Sequence, residues 1–333
     1  MTSSLEYARP AARNDRSAWA RILTTLGPML GLALVFALFA VMRPRTFLPW
    51  GNVKLMLLQT AVVGTAAIGM TLVIISGGID LSIGSNIALS TVVIALALTH
   101  NVSPLFAALV GVASAALCGL IIGLLVTQLR MMPFIVTLGL YVALRGAALE
   151  LANGTRVTPP ADTWLNTLLR TPRGELSWIT LPPGVWLMIA LAAGFAGIAR
   201  FTRFGRHIFA IGSNEQTARL CGVRVNVAKV LIYMTGAALA GIAAVLQFSY
   251  LTVGDPTTAG GMELSVIAAV VIGGASLSGG QGSVFGSVIG ALIMTVISNG
   301  CTKMGLSNAI QMIVTGGIII GAVALDRLRQ SRA

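Results

Sequence analysis

Charge is what this sequence has least of. Only 10% of its 333 residues are Asp, Glu, Lys or Arg, against about 25% in soluble domains, and its longest polar segments, at roughly thirty residues, are too short to bury a core of their own. A soluble enzyme or binding module is thereby excluded. Lysine is scarcer still. Lys54, Lys229 and Lys303 are the only three, and they follow Val53, Ala228 and Thr302. A phosphate-binding loop needs Gly-Lys followed by Ser or Thr, so the chain has no ATPase motif of that kind. Three cysteines (Cys118, Cys221 and Cys301) are scattered, and the two histidines, His100 and His207, lie in different loops. Neither a disulfide framework nor a metal site follows. No nucleophile–His–acid set is visible, so no catalytic residue, metal or bound cofactor is expected. The first twenty-one residues are polar and basic and the first apolar run is long enough to span, so no cleavable signal peptide is expected.

What is present is apolar. Hydrophobic residues make up 56% of the chain, and the mean hydropathy is +0.89. The expected fold is an all-α integral membrane protein of about ten transmembrane helices, some broken or re-entrant. The ten apolar runs lie near 22–42, 55–76, 83–99, 104–127, 133–151, 182–199, 228–250, 262–275, 283–302 and 306–325. The eighth is short for a bilayer that needs about twenty residues. One transmembrane domain therefore covers 22–326, with tails at 1–21 and 327–333, a polar connection at 153–181 and a basic loop at 200–229. Trp164 and Trp178 in the connection suit a membrane–water interface. The net charge of +12 would mean nucleic acid in a soluble protein; here it follows the positive-inside rule. With both termini inside, internal segments hold fourteen basic residues and external ones seven, with Arg145 inside the fifth span. That bias predicts an N-in, C-in arrangement, although Arg43 and Arg45 run against it.

The loop at 200–229 holds Arg200, Arg203, Arg206, Arg219, Arg224 and Lys229. Ser213 with Gln216 reads as a capping box, Glu215 precedes Arg219 by four residues in the favourable order for a helical ion pair, and Gly222 supplies a left-handed stop. A helix of about two turns over 213–222 is expected, and a capped helix on a basic loop between spans reads as a docking element.

Intramembrane charge marks functional candidates because it is costly to bury. Asp80, Arg145, Glu150 and Glu263 qualify. Asp80 lies in GGIDLSIGS, Gly77 to Ser85; either Asp80 or Ser82 caps the following helix, or the broken backbone lines a polar path. GGASLSGGQGS, Gly273 to Ser283, shares Gly-Gly-x-x-Leu-Ser with it, in the manner of transporter repeats. Gly282, Gly286 and Gly290 fall on one helix face, which favours close helix packing. Arg145 and Glu150 are five apart and point different ways, so Arg145 is expected to neutralise another carboxylate or carbonyl, and Glu150 to reach water. Glu263 opens a helix, where an acid is favoured electrostatically.

These motifs carry a resemblance. GGIDLSIGS at 77–85, PFIVTLGLYVALRG at 133–146, FGRHIFAIGSNEQTARLCGV at 204–223 and ELSVIAAVVIGGASLSGGQGSVFGSVIGALI at 263–293, in that order, are similar to the permease subunits of bacterial monosaccharide ABC transporters of the ribose, xylose, arabinose, galactose and autoinducer-2 type. The likeness runs from about residue 47 almost to the end. It implies a multi-pass inner-membrane permease that works with a cytoplasmic ABC ATPase using ATP and Mg, a periplasmic sugar-binding protein, and a second permease copy or paralogue. It further implies ATPase coupling through Gly212, Asn214, Glu215, Ala218, Arg219 and Gly222, to which the local reading adds Ser213. The polar residues Asp80, Ser82, Asn86, Arg145 and Glu263 are expected to mark a translocation path, and Gly77, Gly78, Gly84, Gly273, Gly274, Gly279, Gly280 and Gly282 to be structural glycines. Asn86, Glu150 and Cys301 depart from the apolar residues expected at their positions, and Asn86, one turn past Ser82, would add a hydrogen-bonding group to the path. Two competing readings are a permease for nucleosides or branched-chain amino acids and a secondary transporter using Asp80 and Glu150 for protons or sodium.

Overall fold

The structure is a computed structural model that describes residues 16–160, 162–170 and 181–330, with side chains from residue 27 to residue 324 within those ranges. Arg9 and Arg13 of the N-terminal tail, Trp178 in the connection and the C-terminal residues 331–333 lie outside the described residues. Among those described there are thirteen α-helices: α1 (Arg16–Met42), α2 (Pro44–Phe47), α3 (Trp50–Ile75), α4 (Ile83–Thr99), α5 (Pro104–Gln128), α6 (Pro133–Leu151), α7 (Pro183–Phe201), α8 (Arg203–Ser213), α9 (Glu215–Leu220), α10 (Val225–Leu251), α11 (Met262–Ile272), α12 (Val284–Lys303) and α13 (Asn308–Gln330). The one β-like feature among the described residues is an antiparallel bridge between Val157 and Gly254. The protein is an all-α membrane protein.

Local chemistry sets the helix limits. Proline at the first turn opens α2, α5, α6 and α7, where its missing N–H costs nothing. Ser283 caps α12 by accepting the Gly286 N–H at 3.2 Å. Six helices (α3, α5, α6, α7, α10 and α12) are long and apolar enough to cross a membrane, and four shorter apolar stretches accompany them at Gly27–Met42, Ile83–Thr99, Met262–Ile272 and Asn308–Ala324. These ten fall where the ten apolar runs of the sequence lie.

The centre of the molecule is α3 and α10. Seventeen residues of α3 are buried, and α10 is wedged between α3 and α5. Small residues permit this: Gly69 meets the Gly236 backbone, Gly119 meets the Tyr233 carbonyl and Ala237, and Gly241 meets Ala115 and Val112. Where lipid is as apolar as leucine, such close backbone approach supplies the packing attraction that the hydrophobic effect cannot. Hydroxyl and amide contacts tie α3 to α12: Thr71 Oγ1 lies 2.7 Å from Ser287 Oγ, and the Asn52 and Asn299 amides exchange hydrogen bonds of 2.9 and 3.1 Å. The outer helices α5, α6 and α7 turn residues such as Phe106, Phe134 and Trp186 outward.

The eighth apolar run is a broken span. Its helix, α11, has eleven residues, about 16 Å at 1.5 Å per residue, roughly half of a 30 Å hydrocarbon core. It is preceded by the non-helical strap 252–261, with left-handed backbone at Thr252, Ala259 and Gly261. Two parts of the expected docking helix are corrected. Ser213 does not cap it: Ser213 is the last residue of α8, and Asn214 is the cap, its Oδ1 accepting the Thr217 N–H at 2.8 Å. The helix expected over 213–222 is α9, six residues long. The helix before it, α8, is absent from the sequence reading, although Thr202, whose Oγ1 accepts the Gly205 N–H at 3.1 Å, is a recognisable N-cap.

Candidate functional site: a loop-face knot and a far-face cavity

On the face bearing the 200–229 loop, three segments distant in sequence meet. The last turn of α3, the end of α8 and the second glycine break come together backbone to backbone. The Gly280 N–H donates to the Ile75 carbonyl at 2.8 Å. Gly212 sits so close that a Cβ there would strike the Ile75 carbonyl and the Gly280 nitrogen, while Gly279 backs onto Gly212 and Gly77. Gly279 and Gly280 both have positive φ, at 84° and 74°, which side-chain-bearing residues adopt only at a cost. The two glycine breaks are therefore in contact, with the end of α8 laid across them. Gly78, Gly84, Gly273 and Gly282 likewise face neighbours that a Cβ would strike, and Gly274 has φ 95°.

From this knot α9 projects. Asn214 starts it, Gly222 (φ 83°) ends it, Ala218 is its buried contact, and Leu220 is 88% exposed at its tip. Glu215 is gripped on both sides, by Arg219 Nη2 at 3.4 Å and by Lys229 Nζ of α10. Partial burial pushes the Glu215 carboxyl up, but the Lys229 contact and then the Arg219 contact outweigh it and hold the group below the usual glutamate range. The helix is thus pinned to α10 through Glu215 while its outer side stays free.

Asp80 belongs to the knot's inner side. Its Oδ1 accepts the Ser82 N–H at 2.8 Å and the Ser82 hydroxyl at 2.6 Å. No side chain caps α4, so the capping role considered for Asp80 and Ser82 is corrected: Asp80 locks the turn before the helix. Asn86 faces α5, its Nδ2 lying 3.4 Å from the Ala115 carbonyl.

At the opposite end, between α3, the strap, and α10 to α13, lies a cavity of about 530 Å³. Its polar lining is Gln59, Gln247, Tyr250, Ser265, Thr295, Ser298, Asn308, Gln311 and Thr315; the rest is apolar, including Val62, Met262, Met294 and Ile319, and no charged side chain lines it. The lining of amides and hydroxyls suits an uncharged solute with several hydroxyl groups, and the volume lies within the roughly 300–1,000 Å³ of small-ligand sites. None of Asp80, Ser82, Asn86, Arg145 and Glu263 lines it. The sequence reading missed these residues because an isolated Gln, Ser or Thr in a span carries no signal of its own.

Arg145 and Glu263 stand behind the cavity wall. Arg145 Nη1 donates to the Pro256 and Thr258 carbonyls, both at 2.8 Å, and Glu263 Oε1 accepts the Gly261 N–H at 3.1 Å. Gln247 Nε2 donates to Thr258 Oγ1 at 2.8 Å, and Arg156 pairs with Asp255 at 2.8 Å. These contacts fix the strap, whose Ala259, Gly260 and Gly261 form part of the cavity lining. Glu150, at the end of α6, is exposed.

A bundle of apolar helices with an uncharged cavity between them and a pinned surface helix defines a multi-pass membrane protein; its relatives make it a transport subunit of the inner membrane. The chain belongs to the family described as branched-chain amino acid transport system / permease component, whose profile matches residues 52–323. It is 37% identical over 308 residues to the ribose import permease protein RbsC of Escherichia coli K12, covering 91% of this chain and 93% of that protein. It is 36% identical over 311 residues to the Bacillus subtilis ribose import permease protein RbsC (93% and 95%), and 33% identical over 354 aligned positions to the xylose transport system permease protein XylH of Haemophilus influenzae (90% and 94%). No solved structure matches the chain.

Proposed function

We propose that this chain is the permease subunit of an ATP-driven importer that carries a monosaccharide, or a related polyol-like solute, across the inner membrane. The observation that carries the reading is a cavity that offers several amides and hydroxyls and no charge within a largely apolar wall. A branched-chain amino acid, which the family description names, is a zwitterion and calls for opposite charges at its site, and no charged side chain lines the cavity. The named ribose and xylose permeases support the same choice. An ion-coupled carrier is disfavoured because Asp80 is occupied by Ser82 and Glu150 is exposed at a helix end.

The remaining parts of the reading follow from it. The loop face is cytoplasmic, with both termini inside. The chain has no Gly-Lys-Ser/Thr motif, so ATP and Mg are used by a separate ABC ATPase docking on α9; a periplasmic binding protein delivers the solute at the far face, and a second permease copy or paralogue completes the pathway. Force applied to α9 passes through Gly212 to the glycine breaks at 77–82 and 273–282, which sit at the ends of α3, α4, α11 and α12. The cavity wall moves with α11.

Proteoliposomes containing the permease, its ATPase and the binding protein provide the test. The expected result is ATP-dependent uptake of a neutral monosaccharide; uptake without ATP, or uptake of leucine in preference to sugars, would sink the proposal.

A further inference from the structure

A second cavity, of about 520 Å³, opens on the loop face beside α9 and lies apart from the solute cavity. Its wall carries three cations, Arg130, Arg219 and Lys229, against one carboxylate, Glu215. Glu215 is shared between Arg219 and Lys229, and Arg130 makes no ion pair among the described residues. The lining therefore keeps an excess of two positive charges. The first turns of α6 and α10 border it through Pro133 and Asn226, and neither helix start is capped by a side chain, which adds to the positive potential.

The residues that alternate with the lining ones in the link from α5 to α6 are apolar and face outward. Arg130 occupies a left-handed position (φ 52°) in the short link from α5 to α6, and around it Leu129, Met132, Phe134 and Ile135 are all more than half exposed. A charged pocket at the end of two spans, continuous with an exposed apolar face, presents both halves of an amphiphile's complement. We propose that this cavity binds the phosphate headgroup of an anionic phospholipid, with the acyl chains lying along the outward face at the start of α6. Basic pockets between transmembrane helices are suited to such headgroups. An acidic side chain from a docking protein would satisfy the cations but would leave the adjoining apolar face uncovered. The bound lipid would touch the same Arg219 and Lys229 that grip Glu215, so membrane composition would bear on the position of α9.

The test is thermal unfolding of the purified permease in a neutral detergent, titrated separately with phosphatidylglycerol, phosphatidylcholine and inorganic phosphate. Phosphatidylglycerol is expected to raise the unfolding temperature saturably, and the other two are not. Arg130→Gln is expected to raise the half-saturating phosphatidylglycerol concentration about fivefold, the usual weight of one basic contact to an anionic lipid. Asn226→Asp, which places an acid in the same cavity at an exposed position, should weaken it similarly and stands in if the first variant does not fold. Equal responses to both lipids, or an unchanged response in the variants, would overturn the proposal. So would inorganic phosphate reproducing the shift, which would assign the cavity to a free anion. A loss of ATPase binding in Arg130→Gln with its lipid response intact would give the cavity to the partner protein and overturn it equally.

Discussion

The two ends of the core are built by opposite means. At the loop face, Ile75, Gly77, Gly212, Gly279 and Gly280 meet through main chain, with no side chain between them. At the far face, helices stand apart around a space lined by side chains from α3, α10, α11, α12 and α13. A main-chain junction transmits displacement and carries no chemical selectivity. A side-chain cavity can select a solute and is easily deformed. Under the function proposed above, stiffness falls where the ATPase would push and chemical variety where the solute would pass.

The sharpest way to break that contrast is to put a side chain into the junction. Gly212→Val should be the most damaging change, because its Cβ meets the Ile75 carbonyl and Gly280 and backbone cannot move aside as a flexible side chain would. Overpacking of this kind costs about 1–3 kcal/mol or more. ATP-driven uptake should be abolished even in preparations where the protein inserts, with ATP hydrolysis in the reconstituted complex no longer responding to the binding protein. Normal coupled uptake would refute the junction's role.

Next in size is the strap. Arg145→Met leaves the Pro256 and Thr258 carbonyls without their donor, at a cost of about 1.5–3 kcal/mol for hydrogen bonds to a charged group. The expected outcome is a lower unfolding temperature together with reduced uptake, partly restored in Arg145→Lys. Equal behaviour of the Met and Lys variants would show that the charge is irrelevant. A smaller effect is expected in the cavity itself. Gln59→Leu removes one lining amide and should raise KM for the transported sugar roughly fivefold, about 1 kcal/mol, with the unfolding temperature nearly unchanged.

The smallest effect concerns pH. Glu215 is held below its ordinary range by Lys229 and Arg219, so it binds its proton less readily folded than unfolded. Its contribution to anchoring α9 is fully present above the ordinary glutamate range and is lost as pH falls through the depressed folded value. The protection of the 215–220 amides, corrected for the intrinsic exchange rate, should therefore fall at acid pH in the wild type and be pH-independent in Glu215→Gln.

The same contrast explains what was legible in the sequence. The spans were, because runs of apolar residues state their own environment. The glycine breaks were, because paired glycines interrupt a helix wherever they occur, and so was the Glu215–Arg219 pair at four-residue spacing. Asn214 as the cap was not, since Ser213 beside it offers the same local chemistry and only the extension of α8 through Ser213 decides between them. Lys229 as the stronger hold on Glu215 depends on the approach of α10. The meeting of residues 75, 212 and 280 depends on three helices packing, and no local pattern encodes it. The cavity was least legible of all: Gln59, Thr295 and Asn308 have meaning only when their helices bring them to one space.

Because the junction at Gly212 is made of backbone, natural variation has almost nothing there to adjust. The residues free to differ without disturbing it are those on the outer side of α9, Gln216, Thr217, Leu220 and Cys221, all exposed. Under the function proposed above, partner choice and force transmission are therefore written in separate alphabets a few residues apart. An engineer could exchange the first while leaving the second untouched, and so redirect a permease to a different motor by replacing a handful of surface side chains.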